Sequence, residues 1–141
     1  EVLHDQDGQT QFRFRYSLRA NAGGYRGAEA VAFARSATTP LRSRMGQLAA
    51  ADIAAPRIHI DAARAMITCL KPADDPQADG LVLRVWEVAG RDGPLRIGVT
   101  GFRKAVATDL LERDQAPLPI LDGAVEVGLR PHGFAAIRLL P

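Results

Sequence analysis

Leu70-Lys71-Pro72-Ala73-Asp74-Asp75, followed by Leu81-Val82-Leu83-Arg84-Val85-Trp86-Glu87, reads as a strand, an acidic turn and a second strand. Pro72 cannot donate to a β-ladder, so it marks a strand end. Asp74, Asp75, Pro76, Asp79 and Gly80 are turn formers. Val82, Arg84, Trp86 and Val88 share one face of the second strand. Leu81, Leu83, Val85 and Glu87 share the other. Both faces are mainly apolar, so the strand is expected to be central. An unpaired charge on such a strand is costly, and Arg84 therefore needs a partner.

Short strands recur on both sides of this pair at intervals of about ten residues, as in a β-sandwich. They are expected at Arg57–Ile60, Ala65–Lys71, Leu81–Val88, Leu95–Thr100, Ala105–Glu112, Ala124–Leu129 and Phe134–Leu140. Turn formers separate them at Asp61, Asp74 to Gly80, Gly90 to Pro94, Asp114 to Pro119, Asp122-Gly123 and Pro131 to Gly133. Upstream, Phe12, Phe14, Tyr16 and Leu18 alternate with Arg13, Arg15, Ser17 and Arg19. That period of two predicts a strand with one wet side, or a stripe covered by another domain. Tyr25–Ser36 is alanine-rich, with Ala28, Val31, Ala32 and Arg35 at helical spacing, which predicts one short helix. Leu41 to Pro56 shows no clear period. The expected fold is mainly β: one antiparallel sandwich domain over residues 1–141, with one short helix near the N-terminus.

The chain has 141 residues, enough for one full core. With 18 basic and 16 acidic residues it is nearly neutral, which argues against a nucleic-acid partner. No apolar run approaches the roughly 20 residues of a membrane span. The single cysteine, Cys69, excludes an internal disulfide and reads as a small buried hydrophobe. It is compatible with a reducing, cytoplasmic compartment. A chain opening on Glu1 is expected to be a piece of a longer protein.

The order of several short motifs resembles the C-terminal β-sandwich region of glycoside hydrolase family 38, the α-mannosidases. Asp7-Gly8 and Phe14-Arg15-Tyr16-Ser17-Leu18 resemble the family's Asp-x-Gly and Phe-x-Tyr-x-Leu. Thr39-Pro40-Leu41 resembles Asn-x-Pro-Leu. Leu70-Lys71-Pro72-Ala73-Asp74 and Leu83-Arg84-Val85-Trp86-Glu87 are the strongest matches. Thr108-Asp109-Leu110-Leu111-Glu112-Arg113 and Gly133-Phe134-Ala135-Ala136-Ile137-Arg138-Leu139 complete the series. Phe12 stands where the family often has His, Ala20-Asn21 where it has Pro-His, and Ala136 where it has Thr.

The resemblance implies a parent that hydrolyses α-mannosides with retention, through a carboxylate nucleophile and a zinc ion. Both lie in an N-terminal barrel and a helical region absent from this stretch. The barrel would be this domain's partner, and the α-mannoside a substrate of the parent alone. Zinc is implied for the catalytic domain, with no cofactor, catalytic residue or metal ligand in this chain. His59-Ile60-Asp61 matches the family's zinc-binding His-x-Asp but continues to Ala62-Ala63-Arg64, not to a Trp. It reads as a strand end with a turn residue. Asp74-Asp75 reads as a turn, not as opposed glycosidase carboxylates. Arg84 is expected to pair with Glu112, since both sit in motif strands. Two other classes stay open: a carbohydrate-binding module using Trp86, Tyr25 or Tyr16, and a structural interaction domain. The latter lacks the Cys…Trp…Cys spacing of immunoglobulin domains.

Overall fold

The computed structural model describes residues 14–39, 58–75 and 77–141. Among these residues one helix, α1 (Gly27–Thr38), precedes eight strands. These are β1 (Ile58–His59), β2 (Ala65–Pro72), β3 (Leu81–Glu87), β4 (Gly93–Val99), β5 (Lys104–Thr108), β6 (Asp114–Leu118), β7 (Ala124–Leu129) and β8 (Phe134–Leu140). They form a three-stranded sheet, β1-β4-β7, and a five-stranded sheet, β2-β3-β8-β5-β6. Every pairing is antiparallel.

Alternation along the strands builds the core. Leu83 and Val85 on β3, Leu95, Ile97 and Val99 on β4, Val125 and Val127 on β7, and Ile137 and Leu139 on β8 interdigitate between the sheets. Asp122 (φ 49) and Gly123 (φ 68) form a tight turn before β7, with Leu121 and Ala124 exchanging both backbone hydrogen bonds at 2.9 Å. Two consecutive left-handed residues suit the Asp-Gly pair and match the twist of the flanking strands.

Gly80 opens β3 at φ +103, and a Cβ there would lie 2.4 Å from the Leu139 carbonyl oxygen. Only glycine lets β8 approach that closely. One residue of β2 is bulged between Ile67 and Cys69, and the Thr68 hydroxyl donates to the Arg84 carbonyl at 3.3 Å.

The sequence reading needs correction in four places. The helix lies two residues later than expected. Residues 14–18 are not in a strand, and Phe14, Tyr16 and Leu18 are exposed at 68%, 83% and 96%. An alternating segment becomes a strand only beside a sheet edge, because the ladder needs a second chain. The strand expected over Ala105–Glu112 stops at Thr108 and turns back. Finally, Asp114–Leu118, expected as a turn, is the edge strand β6. Pro117 sits in it opposite Val106, as an edge position allows. Arg13 and the stretch 40–57 lie outside the described residues.

We expect Gly80→Ala to destabilise the domain by about 1–3 kcal/mol, from the left-handed backbone and the Leu139 contact. Urea unfolding of the two proteins measures it; an equal midpoint would contradict the contact.

Candidate functional site

Three of the connections that cross between the sheets lie at one end of the sandwich: β1 to β2, β3 to β4 and β7 to β8. Two charged side chains join them. Arg64, in the turn before β2, donates through Nη2 to the Gly93 carbonyl at 2.7 Å and through Nη1 to the Pro94 carbonyl. Glu87, the last residue of β3, is fully buried. Its Oε1 accepts from the Ala89 amide at 3.0 Å, and its Oε2 from the amides of Gly90 at 2.7 Å and His132 at 2.9 Å. The Glu87 amide donates back to the Gly133 carbonyl, and Trp86 Nε1 donates to the His132 carbonyl at 3.1 Å.

No cation neutralises Glu87 by an ion pair among the described residues. Burial pushes its carboxyl pKa up. The amides of His132, Arg91, Gly90 and Ala89 more than reverse that and bring it down to about 2. A carboxylate held by three fixed amides, with its pKa that low, is ionised at neutral pH. Glu87 is therefore a brace, not a general acid. Its signal in the sequence is a glutamate at a strand end, two and three residues ahead of a small-residue turn, Ala89-Gly90.

A second cluster lies on the outer face of the five-stranded sheet. After β5 the chain turns tightly, with Asp109 Oδ1 accepting from the amides of Leu111 at 2.8 Å and Arg113 at 2.9 Å. Glu112 occupies this turn at φ 65. Its Oε1 lies 3.0 Å from Arg84 Nη2 and 2.5 Å from Lys71 Nζ. Its Oε2 accepts the Asp74 amide at 2.8 Å. Arg84 Nη2 also donates to the Leu110 carbonyl at 3.0 Å.

The structure thus brings Arg84 and Glu112 together, but through a turn over the sheet, not between two strands. The Arg84 side chain is 27% exposed, that of Glu112 9%. Lys71 is a third member that sequence reasoning missed; its spacing of three from Asp74 was the available signal. Lys71 Nζ lies 2.5 Å from Asp74 Oδ1. Asp74 first, then Glu112, hold the Lys71 ammonium pKa above its ordinary value. Lys71 first, then the Asp74 amide, hold Glu112 below its own.

His59 and Asp61 line one shallow groove with Arg96 and Asp122. Asp61 closes its own turn: Oδ1 accepts the Ala63 amide at 2.9 Å, and its carbonyl accepts those of Arg64 and Ala65. His132 is at the other end of β7, in the Glu87 cluster. Among the described residues no three His, Cys, Asp or Glu side chains are placed to hold one metal ion. Asp75 closes the acidic turn through the Gln77 amide at 2.9 Å. Cys69 is half-buried and free. Trp86 stacks on Phe134 with centroids 5.7 Å apart and planes 10° from parallel.

An open, largely apolar groove of about 720 Å³ separates α1 from the sandwich, between Val31 and Ala28 on one side and Ile60, Met66 and Val88 on the other. No helix among the described residues is long and apolar enough to cross a membrane.

The described residues thus form an eight-stranded sandwich of two antiparallel sheets, braced by buried polar side chains. Residues 64–133 match the glycosyl hydrolases family 38 C-terminal beta sandwich domain. The match, from the turn before β2 to the β7–β8 turn, supports the identification of this sandwich as a domain of that family. No curated protein matches it.

Two predictions follow from the clusters. Glu87 has a folded-state pKa below its unfolded value, so its stabilisation is complete above pH about 4.5 and is lost as pH falls through about 2. Glu87→Gln should cost about 2–3 kcal/mol at pH 7 and flatten the acid limb of the stability curve between those values. Denaturant unfolding at pH 7 and pH 3 gives both numbers, and an acid limb identical to wild type would refute the assignment.

In a double-mutant cycle, Arg84→Met and Glu112→Gln should each lower the melting temperature by several degrees, with the double variant falling less than the sum. Additive losses would show that the two side chains act separately.

Proposed function

We propose that this chain is the non-catalytic C-terminal sandwich of a zinc-dependent, retaining α-mannosidase, whose nucleophile and metal reside in another region of the same polypeptide. The observation that carries this reading is the family 38 match over β2 to the β7–β8 turn, on a fold whose conspicuous carboxylates are spent internally. Glu87 faces backbone amides, and Glu112 faces Lys71, Arg84 and the Asp74 amide. Neither presents an oxygen across an open cleft toward a second carboxyl, as glycoside hydrolysis requires. The domain contributes shape and rigidity next to the catalytic region, and the sugar is bound by the parent.

The carbohydrate-module reading has less behind it. Trp86 uses its N–H on the His132 carbonyl and packs its ring against Phe134. Its capacity to receive a sugar is correspondingly reduced.

The purified 141-residue chain should not hydrolyse a chromogenic α-mannoside with or without added zinc, whereas the full-length parent should, and should lose that activity to a chelator. Zinc-dependent turnover by the chain alone would sink this reading.

A further inference from the structure

Glu112 ties the β5–β6 loop to strands that are not the loop's own. Residues 109–113 join β5 to β6, yet the Glu112 carboxylate reaches Arg84 on β3 and Lys71 on β2. In the five-stranded sheet β8 lies between β3 and β5, so the loop is held back across β8. Among the described residues, the other hydrogen bond from β2 or β3 to this loop runs from Arg84 Nη2 to the Leu110 carbonyl. No apolar burial backs the tie, since Leu110 and Leu111 are both exposed. Glu112 itself holds a left-handed backbone, φ 65, which persists only where surrounding contacts enforce it. A loop with polar ties and little buried apolar surface opens at far lower cost than the core.

The tie rests on one oxygen. Glu112 Oε1 lies 2.5 Å from Lys71 Nζ and 3.0 Å from Arg84 Nη2, so a single negative charge sits between two cations. If that charge is lost, the cations face each other across a neutral carboxyl and repel. Lys71 then still has the Asp74 carboxylate, whereas Arg84 has no second carboxylate among the described residues. The other charged groups around Glu112 are Asp109 and Arg113 in its own loop and, next to the loop, Asp114 with Arg138. Asp109 accepts two amides of the loop and so shapes it, without joining it to β2 or β3.

We propose that Glu112 is an acid-operated latch: when its carboxylate takes up a proton, the 109–113 loop lifts off the sheet while the sandwich stays folded. The sign follows from the site. Lys71 first, then the Asp74 amide, hold the Glu112 carboxyl below its ordinary value of 4.5. The latch is therefore fully closed above that pH and releases as pH falls through the lowered value. Lys71, raised first by Asp74 and then by Glu112, stays charged throughout this range.

The test is a pH titration of the 141-residue chain followed by nuclear magnetic resonance. Proton contacts of residues 109–113 with Arg84 and Lys71, and the slow exchange of the Asp74 amide, should vanish together with a midpoint below pH 4.5. Amides of β3 and β8 should remain protected through that transition. In Glu112→Gln the loop should already be released at pH 7, with the Asp74 amide exchanging roughly tenfold faster and the same strands protected. Asp109→Asn keeps the acceptor oxygen but cannot titrate, and should leave the wild-type midpoint unmoved. Loss of loop contacts and strand protection in one transition overturns the proposal, and that measurement needs no variant. A Glu112→Gln loop still docked at pH 7 overturns it too. So does a transition that Asp109→Asn abolishes, which would assign the proton to Asp109.

Discussion

A buried carboxylate with no counter-ion among the described residues holds one end of this sandwich together. Two sheets sharing a core can slide or splay unless their crossings are pinned, since apolar packing is not directional. Glu87 supplies direction. It sits where β3 leaves the five-stranded sheet, accepts amides from its own exit turn, and accepts the His132 amide from the crossing that returns the chain as β8. Arg64 does the equivalent for the start of β4, using two carbonyls. Both side chains satisfy backbone groups that would otherwise be stranded at the ends of strands. Core residues from all the long strands then meet in one register.

The outer cluster uses the same device to a different end. Glu112 gathers an ammonium, a guanidinium and an amide, and so fixes a turn that contributes little to the core. Ion pairs this close to the surface add little to stability as isolated pairs. A shared carboxylate, joined to the sheet from above, adds position instead. The domain thus has one polar group that secures its interior and another that shapes its exterior.

Much of this architecture was legible. β7 and β8 fall at the residues where period-two alternation places them, and the Asp122-Gly123 pair marks its turn by backbone chemistry alone. What escaped has physical reasons. β6 carries an edge proline and no buried residue, so nothing in its pattern distinguishes it from a loop. Tyr16 and Leu18 alternate well, but alternation reports a capacity for strand pairing, not a strand. Arg84 signalled its need for a carboxylate because a charge on a central strand must be answered. The answering residue, Glu112, reaches it from a turn, which no strand pattern can reveal. Glu87 was visible as a charge in an apolar strand, but amides 45 residues away carry no mark in the sequence.

The order of strands in the larger sheet has a consequence for how the domain is made. β8, last of the described strands along the chain, lies third of five, between β3 and β5. A nascent chain emerging from the ribosome can form the β2–β3 and β5–β6 hairpins early, but the two cannot join until the segment after Gly133 is free. Until then each hairpin shows an unpaired inner edge of the kind that recruits foreign strands. Release of the segment that forms β8, more than any earlier step, is when the sandwich becomes a single cooperative unit and its exposed edges close.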